Sequence, residues 1–206
     1  MLKFFAIFKH IFYAFINLMS SSQKIWKIVF WLLIACIAVL MPALSFDYGI
    51  TWDEWVQNEY GKELLKYFVS FGKEKQNVLP GGIIVNATDL YLYGGLFDLI
   101  VAFANKFSPF GEYETRHFIN SFFGVFAILF TGLLAKELKD WRAAVLASVL
   151  LFVSPRFFGH SMNNPKDIPF AAAYIFTVLF TPRFIKNIDK PKLKDVLFLI
   201  AGIAIC

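Results

Sequence analysis

An uncharged apolar run near the N-terminus constrains this chain more than any other feature. No charged side chain occurs between Ile28 and Phe46, and a helix needs about 20 apolar residues to cross the hydrocarbon core of a bilayer. The composition agrees, because 58% of all residues are hydrophobic and the mean hydropathy is +0.60, which is high for a soluble domain. The run therefore predicts a membrane span over residues 26–46.

Four further apolar segments extend this pattern along the chain. They cover residues 115–135, 143–159, 168–182 and 195–206. At a rise of about 1.5 Å per residue, the last of them is too short to cross a bilayer as a helix. We therefore interpret the chain, residues 1–206, as the N-terminal part of one larger membrane domain, all-α and polytopic.

The distribution of basic residues orients the predicted spans. Basic clusters occur before the first span, between the second and third, and after the fourth. They are Lys3, Lys9, Lys24 and Lys27; Lys136, Lys139 and Arg142; and Arg183, Lys186, Lys190, Lys192 and Lys194. All three lie on one side of the membrane, which the positive-inside rule assigns to the cytoplasm, together with the N-terminus. These loops account for the net charge of +5, so nucleic acid is not expected as a partner.

Three segments are predicted to lie in the membrane interface. Residues 1–19 lack a signal-peptide cleavage site and precede a full span, which favours an amphipathic helix. In the outward loop 47–114, Thr51 and Glu54 have the spacing of a capping box that begins a helix. A turn at residues 80–82 then separates this helix from a third apolar stretch, 90–107, which Asp98 interrupts.

Acidic residues mark the outer ends of two predicted spans. Asp53 and Glu54 follow the first span closely, and Asp167 directly precedes the fourth. Two carboxylates at a lipid–water boundary can perform acid–base chemistry or bind a metal ion. Equally, acidic residues are favourable in the first turn of a helix without any catalytic role. The sequence leaves both interpretations open.

Cationic and imidazole side chains lie near the same boundary. Arg116 and Lys166 can hold a phosphate there, or extend towards lipid headgroups as interfacial cations commonly do. His160, with Asp53 and Asp167, is the candidate set for a metal ion, although these residues lack the ligand spacing of a known site.

Taken in order, these motifs resemble the integral-membrane glycosyltransferases of the GT-C class, and most closely the protein mannosyltransferase and lipid A aminoarabinose transferase group. The likeness covers roughly residues 28–182. The matching motifs are Asp53-Glu54, Glu114-Thr-Arg116 with Asn120–Gly124, Lys139–Ala144, and Ser154-Pro155 with Asp167-Ile-Pro169. The chain departs from the family where Ile168 separates an aspartate and a proline that are often adjacent, and where Tyr91–Gly95 replaces a proline-containing pair.

The resemblance implies a GT-C-like fold and an enzyme that moves a sugar from a polyprenyl phosphate to a protein, lipid or glycan at the outer membrane face, with inversion. Asp53 is then the general base and Glu54 supports it. Arg116 and Lys166 bind the donor phosphate. Asp167 positions the acceptor or helps to bind a divalent metal ion, the need for which stays open. A bacterial inner membrane fits this chemistry better than the endoplasmic reticulum.

Two other functions remain compatible with the sequence. A transporter can place acidic residues along an ion path, although no charge lies in the middle of any predicted span. A non-catalytic scaffold for envelope assembly can keep the fold without the activity. The fragment by itself is expected to be inactive, because the rest of the domain helps to form the substrate pockets.

Overall fold

The computed structural model describes residues 2–74, 78 and 94–205, with side chains from residue 22 onward. No β-strand occurs in these ranges, which confirms the predicted all-α class for them. A short 3₁₀ helix, Ser45–Asp47, follows the first helix. The helices are α1 (Leu2–Leu44), α2 (Glu54–Val69), α3 (Leu96–Ala104), α4 (Glu112–Leu138), α5 (Trp141–Phe152), α6 (Pro155–Asn163), α7 (Asp167–Lys186) and α8 (Leu193–Ile205).

Three segments of the described chain are long and apolar enough to cross a membrane. They are Ser22–Asp47, Glu112–Leu138 and Asp167–Lys186, and they coincide with the predicted spans 26–46, 115–135 and 168–182. Hydropathy found them because a lipid-facing helix must be apolar over its whole crossing length. The chain therefore has the character of a multi-pass membrane protein.

The predicted third span, residues 143–159, is not one continuous helix. Helices α5 and α6 meet at a bend of 69°, and the pair counts as a fourth span only if both helices together cross the bilayer. The break lies at residues 153–154, directly before Pro155, the first residue of α6. Proline has no N–H to donate, and its ring excludes the carbonyl four residues earlier, so α5 cannot continue through it.

Parts of the predicted interfacial segments are also helical. Residues 2–21 are a continuous part of α1, and α3 covers the middle of the predicted helix 90–107. The predicted turn at 80–82 and the first residues of that predicted helix, 90–93, lie outside the described residues. The placement of these helices in the interface stays a prediction.

Helix α4 is the centre of the bundle. It packs against α1, α5, α6 and α7. The main buried cluster includes Phe30, Ile37 and Met41 of α1, Ile128 of α4 and Met162 of α6. Burial of such side chains is worth about 1.5–3 kcal/mol each relative to exposure in water, and in a bilayer the close packing itself holds the helices together.

The basic clusters that the structure describes share one end of the bundle. The Gln23 side chain bonds Asp140 and the Trp141 N–H, joining α1 to the start of α5. Arg183 of α7 donates to Glu137 at the end of α4, at 2.6 Å. These contacts bring Gln23 of α1 together with the end of α4, the start of α5 and the end of α7. The assignment of this end to the cytoplasm stays a prediction of the positive-inside rule.

The opposite end is covered by α2 and α3, which pack against each other. The face of α2 that packs inward is mostly polar. Its buried residues include Glu54, Gln57, Asn58 and Gly61, at the i, i+3, i+4, i+7 spacing of one helical face. Trp52, just before α2, is almost fully exposed. This inward polar face brings hydrogen-bonding side chains to the ends of the bundle helices.

Gly61→Ala is expected to separate α2 from α3. A Cβ atom at Gly61 lies 2.5 Å from the backbone oxygen of Asp98, which cannot turn aside as a side chain can. We expect overpacking to lower the free energy of unfolding by about 1–3 kcal/mol. Thermal unfolding in detergent tests this, with Gly159→Ala as the control, since a Cβ there meets no atom within 4 Å. Equal melting temperatures for the two variants contradict the prediction.

Candidate functional site

The candidate site lies at the α2–α3 end of the bundle. It is formed by the loop after α1, by Glu54 and Gln57 of α2, and by the segments at the starts of α3, α4 and α7. Side-chain bonds across 113, 59 and 18 positions join these segments. The site residues that the sequence predicted all belong to these segments or to the adjoining α6.

Arg116 is buried at the centre of the site. Its side chain is only 1% exposed. One nitrogen, Nη2, donates to Asp98 Oδ1 at 2.5 Å and to Gln57 Oε1 at 2.9 Å, and Nε lies 3.9 Å from Glu54 Oε1. The guanidinium also faces the Phe97 ring, 5.2 Å from its centroid. Arg116 therefore does not extend to the headgroups. It is held inside the protein by two carboxylates.

Two nitrogens of that guanidinium are underused. Arg116 Nε and Nη1 are buried and have no hydrogen-bond partner among the described residues. A buried N–H without a partner costs about 1–3 kcal/mol. The side chains that the structure describes therefore leave two N–H groups of Arg116 unused.

Glu54 is turned into the protein and fully buried. Its Oε1 lies 2.8 Å from His117 Nε2. Its Oε2 accepts the Thr51 N–H at 2.6 Å, as in a capping box. The predicted box is nevertheless wrong about the cap, because α2 begins after Asp53, and no side-chain capping bond forms there. Glu54 therefore joins the loop before α2 to α4.

Asp53 faces outward and is about half exposed. Its Oδ2 accepts hydrogen bonds from Lys166 Nζ at 3.0 Å and from Gln57 Nε2 at 2.8 Å. Partial burial raises the pKa of Asp53, but the hydrogen bond and charge of Lys166 and the bond from Gln57 outweigh it, so that the pKa is lowered. The carboxyl group is therefore ionised at neutral pH and carries a partly exposed negative charge.

Asn164 organises the start of α7. Its side-chain oxygen accepts from the N–H groups of Lys166, at 3.3 Å, and Asp167, at 3.0 Å. Its amide nitrogen donates to Asp167 Oδ2 at 2.9 Å and to His160 Nδ1 at 2.7 Å. With these bonds in place, the Lys166 side chain extends to Asp53, whereas the Asp167 carboxylate bonds the Asn164 amide. The structure brings the two acidic segments together through Lys166.

The candidate metal ligands do not form a ligand set. Over the described ranges, no group of three or more His, Cys, Asp or Glu side chains is arranged to hold a metal ion. His160 already uses Nδ1 for Asn164, and Asp53 is paired with Lys166. Among the described residues, these three candidates therefore do not fit a protein-held cation.

A cavity of about 240 Å³ adjoins the network. Asp98 and Lys166 provide its charged lining, and the starts of α3 and α7 border it. Apolar lining comes from Ile100, Phe123 and Phe170, among others. A helix N-terminus and an ammonium group both favour an anion, whereas the Asp98 carboxylate, which is paired with Arg116, opposes one. The remaining walls are apolar and suit a hydrocarbon.

Asp98 and Gln57 belong to the candidate site, and the sequence interpretation missed both of them. Asp98 appeared as a charge that interrupts an apolar stretch. Burial raises its pKa, and the adjacent Arg116 acts in the opposite direction. The available signal was the physical requirement for a partner, since a carboxylate within an apolar helix is unfavourable unless it is paired.

Comparison of the chain with protein-family models, with curated proteins and with solved structures finds no match.

Proposed function

We propose that this protein is a membrane glycosyltransferase that uses a polyprenyl-phosphate sugar as donor. One observation carries the proposal. A partly exposed, ionised carboxylate, Asp53, lies against a cation, Lys166, and that cation also lines a cavity with apolar walls. A base, a phosphate-binding group and a site for a lipid tail are the parts that such a transfer needs.

The cavity suits the donor. We assign the donor phosphate to Lys166 and the starts of α3 and α7, where an ammonium group and helix N-termini stabilise an anion. Phe123 and Phe170 are suitable walls for the first isoprene units. Arg116 does not line the cavity, but it pairs with Asp98, which does. It therefore acts on the phosphate through its charge alone.

Asp53 is suited to act on the acceptor. In the proposed reaction its carboxylate takes the proton of an acceptor hydroxyl as that oxygen attacks the anomeric carbon of the sugar. The bond between that carbon and the phosphate oxygen breaks, and polyprenyl phosphate leaves with the negative charge that Lys166 and Arg116 stabilise. A single displacement inverts the configuration. Asp167 positions the acceptor, and Glu54 holds the loop that carries the base.

The orientation follows from the charges. With the lysine-rich end of the bundle in the cytoplasm, the site faces the outer leaflet. Donor and acceptor then meet at the outer surface, which in a bacterium is that of the inner membrane. The acceptor is a protein, a lipid or a glycan.

A transfer assay tests the proposal. The full-length protein in nanodiscs is incubated with polyprenyl phosphates that carry different radiolabelled sugars, and with a membrane extract as acceptor source. We expect label to move into an acceptor, with unlabelled polyprenyl phosphate inhibiting and nucleotide sugars giving no direct transfer. In sealed vesicles, movement of a solute without covalent transfer identifies a transporter instead. If neither occurs, a scaffold is favoured and the enzyme proposal fails.

Lys166→Met is expected to weaken donor binding and to change the pH dependence. Loss of a charge-assisted bond to phosphate raises the KM for the donor about tenfold or more. Lys166 lowers the pKa of Asp53, so its removal raises that pKa, and the acidic limb of the rate profile moves to higher pH. Steady-state kinetics at several pH values measures both effects.

Lys62→Met is the matched control. Lys62 is 35% exposed and Lys166 is 32% exposed, and Lys62 also pairs with an acidic side chain, Glu112. The control is expected to keep the wild-type KM and pH profile. If both variants change in the same way, Lys166 has no specific role in donor binding.

A further inference from the structure

We propose that Gln57 is a positioning residue that fixes the Asp53 carboxylate by connecting it to the buried Arg116. The kinetic part of this inference rests on the proposed function. The physical part, which concerns the orientation and protonation of Asp53, does not.

Gln57 bridges a buried cation and a partly exposed anion. Its Nε2 donates to Asp53 Oδ2 at 2.8 Å, and its Oε1 accepts from Arg116 Nη2 at 2.9 Å. The side chain is only 2% exposed. The backbone N–H of Gln57 also donates to the Asp53 carbonyl at 3.3 Å, so the two residues are one helical turn apart on the same face.

The chemistry of these groups fixes the direction of the amide. A guanidinium can only donate hydrogen bonds, so it selects the oxygen end of the Gln57 side chain. The NH₂ end must then face Asp53, and an ionised carboxylate can only accept. Arg116 cannot rotate to release the amide, because Asp98 holds the same nitrogen at 2.5 Å. The Gln57 side chain therefore connects the buried Arg116 to the partly exposed Asp53 in one fixed orientation.

This bridge becomes important when the donor binds. Lys166, at the start of α7, is the charged group that faces Asp53. Glu54, the first residue of α2, is turned inward towards His117. A donor phosphate in the cavity competes with Asp53 for Lys166. Gln57 is then the side chain that keeps Oδ2 in place, which leaves Oδ1 to take the acceptor proton.

Two variants separate positioning from folding. Gln57→Met removes both bonds with little change in volume. Gln57→Glu keeps an oxygen for Arg116 and removes the donor to Asp53, so it preserves the inner half of the bridge. The control is Asn58→Leu, which removes an adjacent amide that is also 2% exposed and that bonds Glu112, not Asp53.

The first measurement is steady-state kinetics of the full-length protein in nanodiscs. Both Gln57 variants are expected to lower kcat by about 10- to 100-fold with little change in the donor KM, because a misplaced base is less effective. The acidic limb of the rate profile is expected to move to higher pH, since the Gln57 bond lowers the pKa of Asp53. Asn58→Leu is expected to keep the wild-type kcat and profile. Gln57 variants that behave like Asn58→Leu overturn the proposal.

The second measurement does not depend on activity. A water-soluble carbodiimide reacts with protonated carboxyl groups, and mass spectrometry reports the labelled fraction of Asp53 at each pH. We expect the labelling curve of both Gln57 variants, but not of Asn58→Leu, to move to higher pH. If the wild type transfers no sugar, the proposed function fails, and this curve still decides the inference on Gln57. An unchanged curve overturns it.

Discussion

Arg116→Leu is expected to lower the free energy of unfolding by about 3–5 kcal/mol, because it leaves buried carboxylates without their cation. Asp98 loses its ion pair, Glu54 loses a nearby positive charge, and Gln57 loses the donor to its oxygen. Removing one partner of a buried ion pair costs more stability than the intact pair contributes, since the remaining charge stays desolvated.

A second substitution tests this reason. The double variant Arg116→Leu/Asp98→Leu replaces the pair by apolar groups and is expected to recover part of the lost stability. Arg142→Leu is the control for loss of an arginine, because Arg142 lies at the other end of the bundle and bonds the Ser22 hydroxyl at 2.6 Å in an exposed setting. Thermal unfolding in detergent measures all three variants. A double variant no more stable than the single one contradicts the explanation.

The spans were predictable because their signal is local. A helix that crosses a bilayer must be apolar at every turn, so Ser22–Asp47 and Asp167–Lys186 can be recognised without any knowledge of their neighbours. The break in the third span was also visible locally, at Pro155. The prediction missed this break because it counted apolar residues, and such a count does not stop at a proline. A hydrogen-bonded helix does stop there.

The inward face of α2 shows where a hydropathy argument reaches its limit. Apolar residues recur at helical spacing from Val56 to Phe71, and this pattern predicts a helix that lies along the membrane surface. Tyr60 of that series is buried, but Phe68 and Phe71 are exposed. The residues that reach α4 are the polar ones, such as Gln57. At a lipid–water boundary an apolar side chain can face lipid and a polar one can face protein, so hydropathy no longer indicates which side is inside.

The contacts within the site depend on tertiary packing. Lys166 and Asp53 are 113 positions apart, and their pairing requires three spans to pack in one order. The sequence located both residues near one membrane surface. It could not indicate that Lys166, and not the adjacent Asp167, faces Asp53. The orientation of these two side chains depends on the bonds that Asn164 makes to both residues.

Asp53→Asn is expected to abolish most of the transfer, with a fall in kcat of about 10²- to 10⁴-fold, which is the usual contribution of a general base. Asparagine has almost the same shape, and its side-chain oxygen can still accept a hydrogen bond from Lys166 or Gln57. It cannot take the acceptor proton. Transfer of labelled sugar under saturating donor measures the effect.

The structure allows this loss to be separated from a loss of folding. Asp53 is 52% exposed and its pair with Lys166 is a surface contact, so the substitution is expected to change stability very little. Asp47→Asn is the control, since Asp47 is also exposed and lies in the same segment after α1. Normal donor binding with lost transfer in Asp53→Asn assigns the proton transfer to this carboxylate. Full activity in that variant excludes Asp53 as the base. Asp167, the residue after Lys166, is then the remaining candidate for the base.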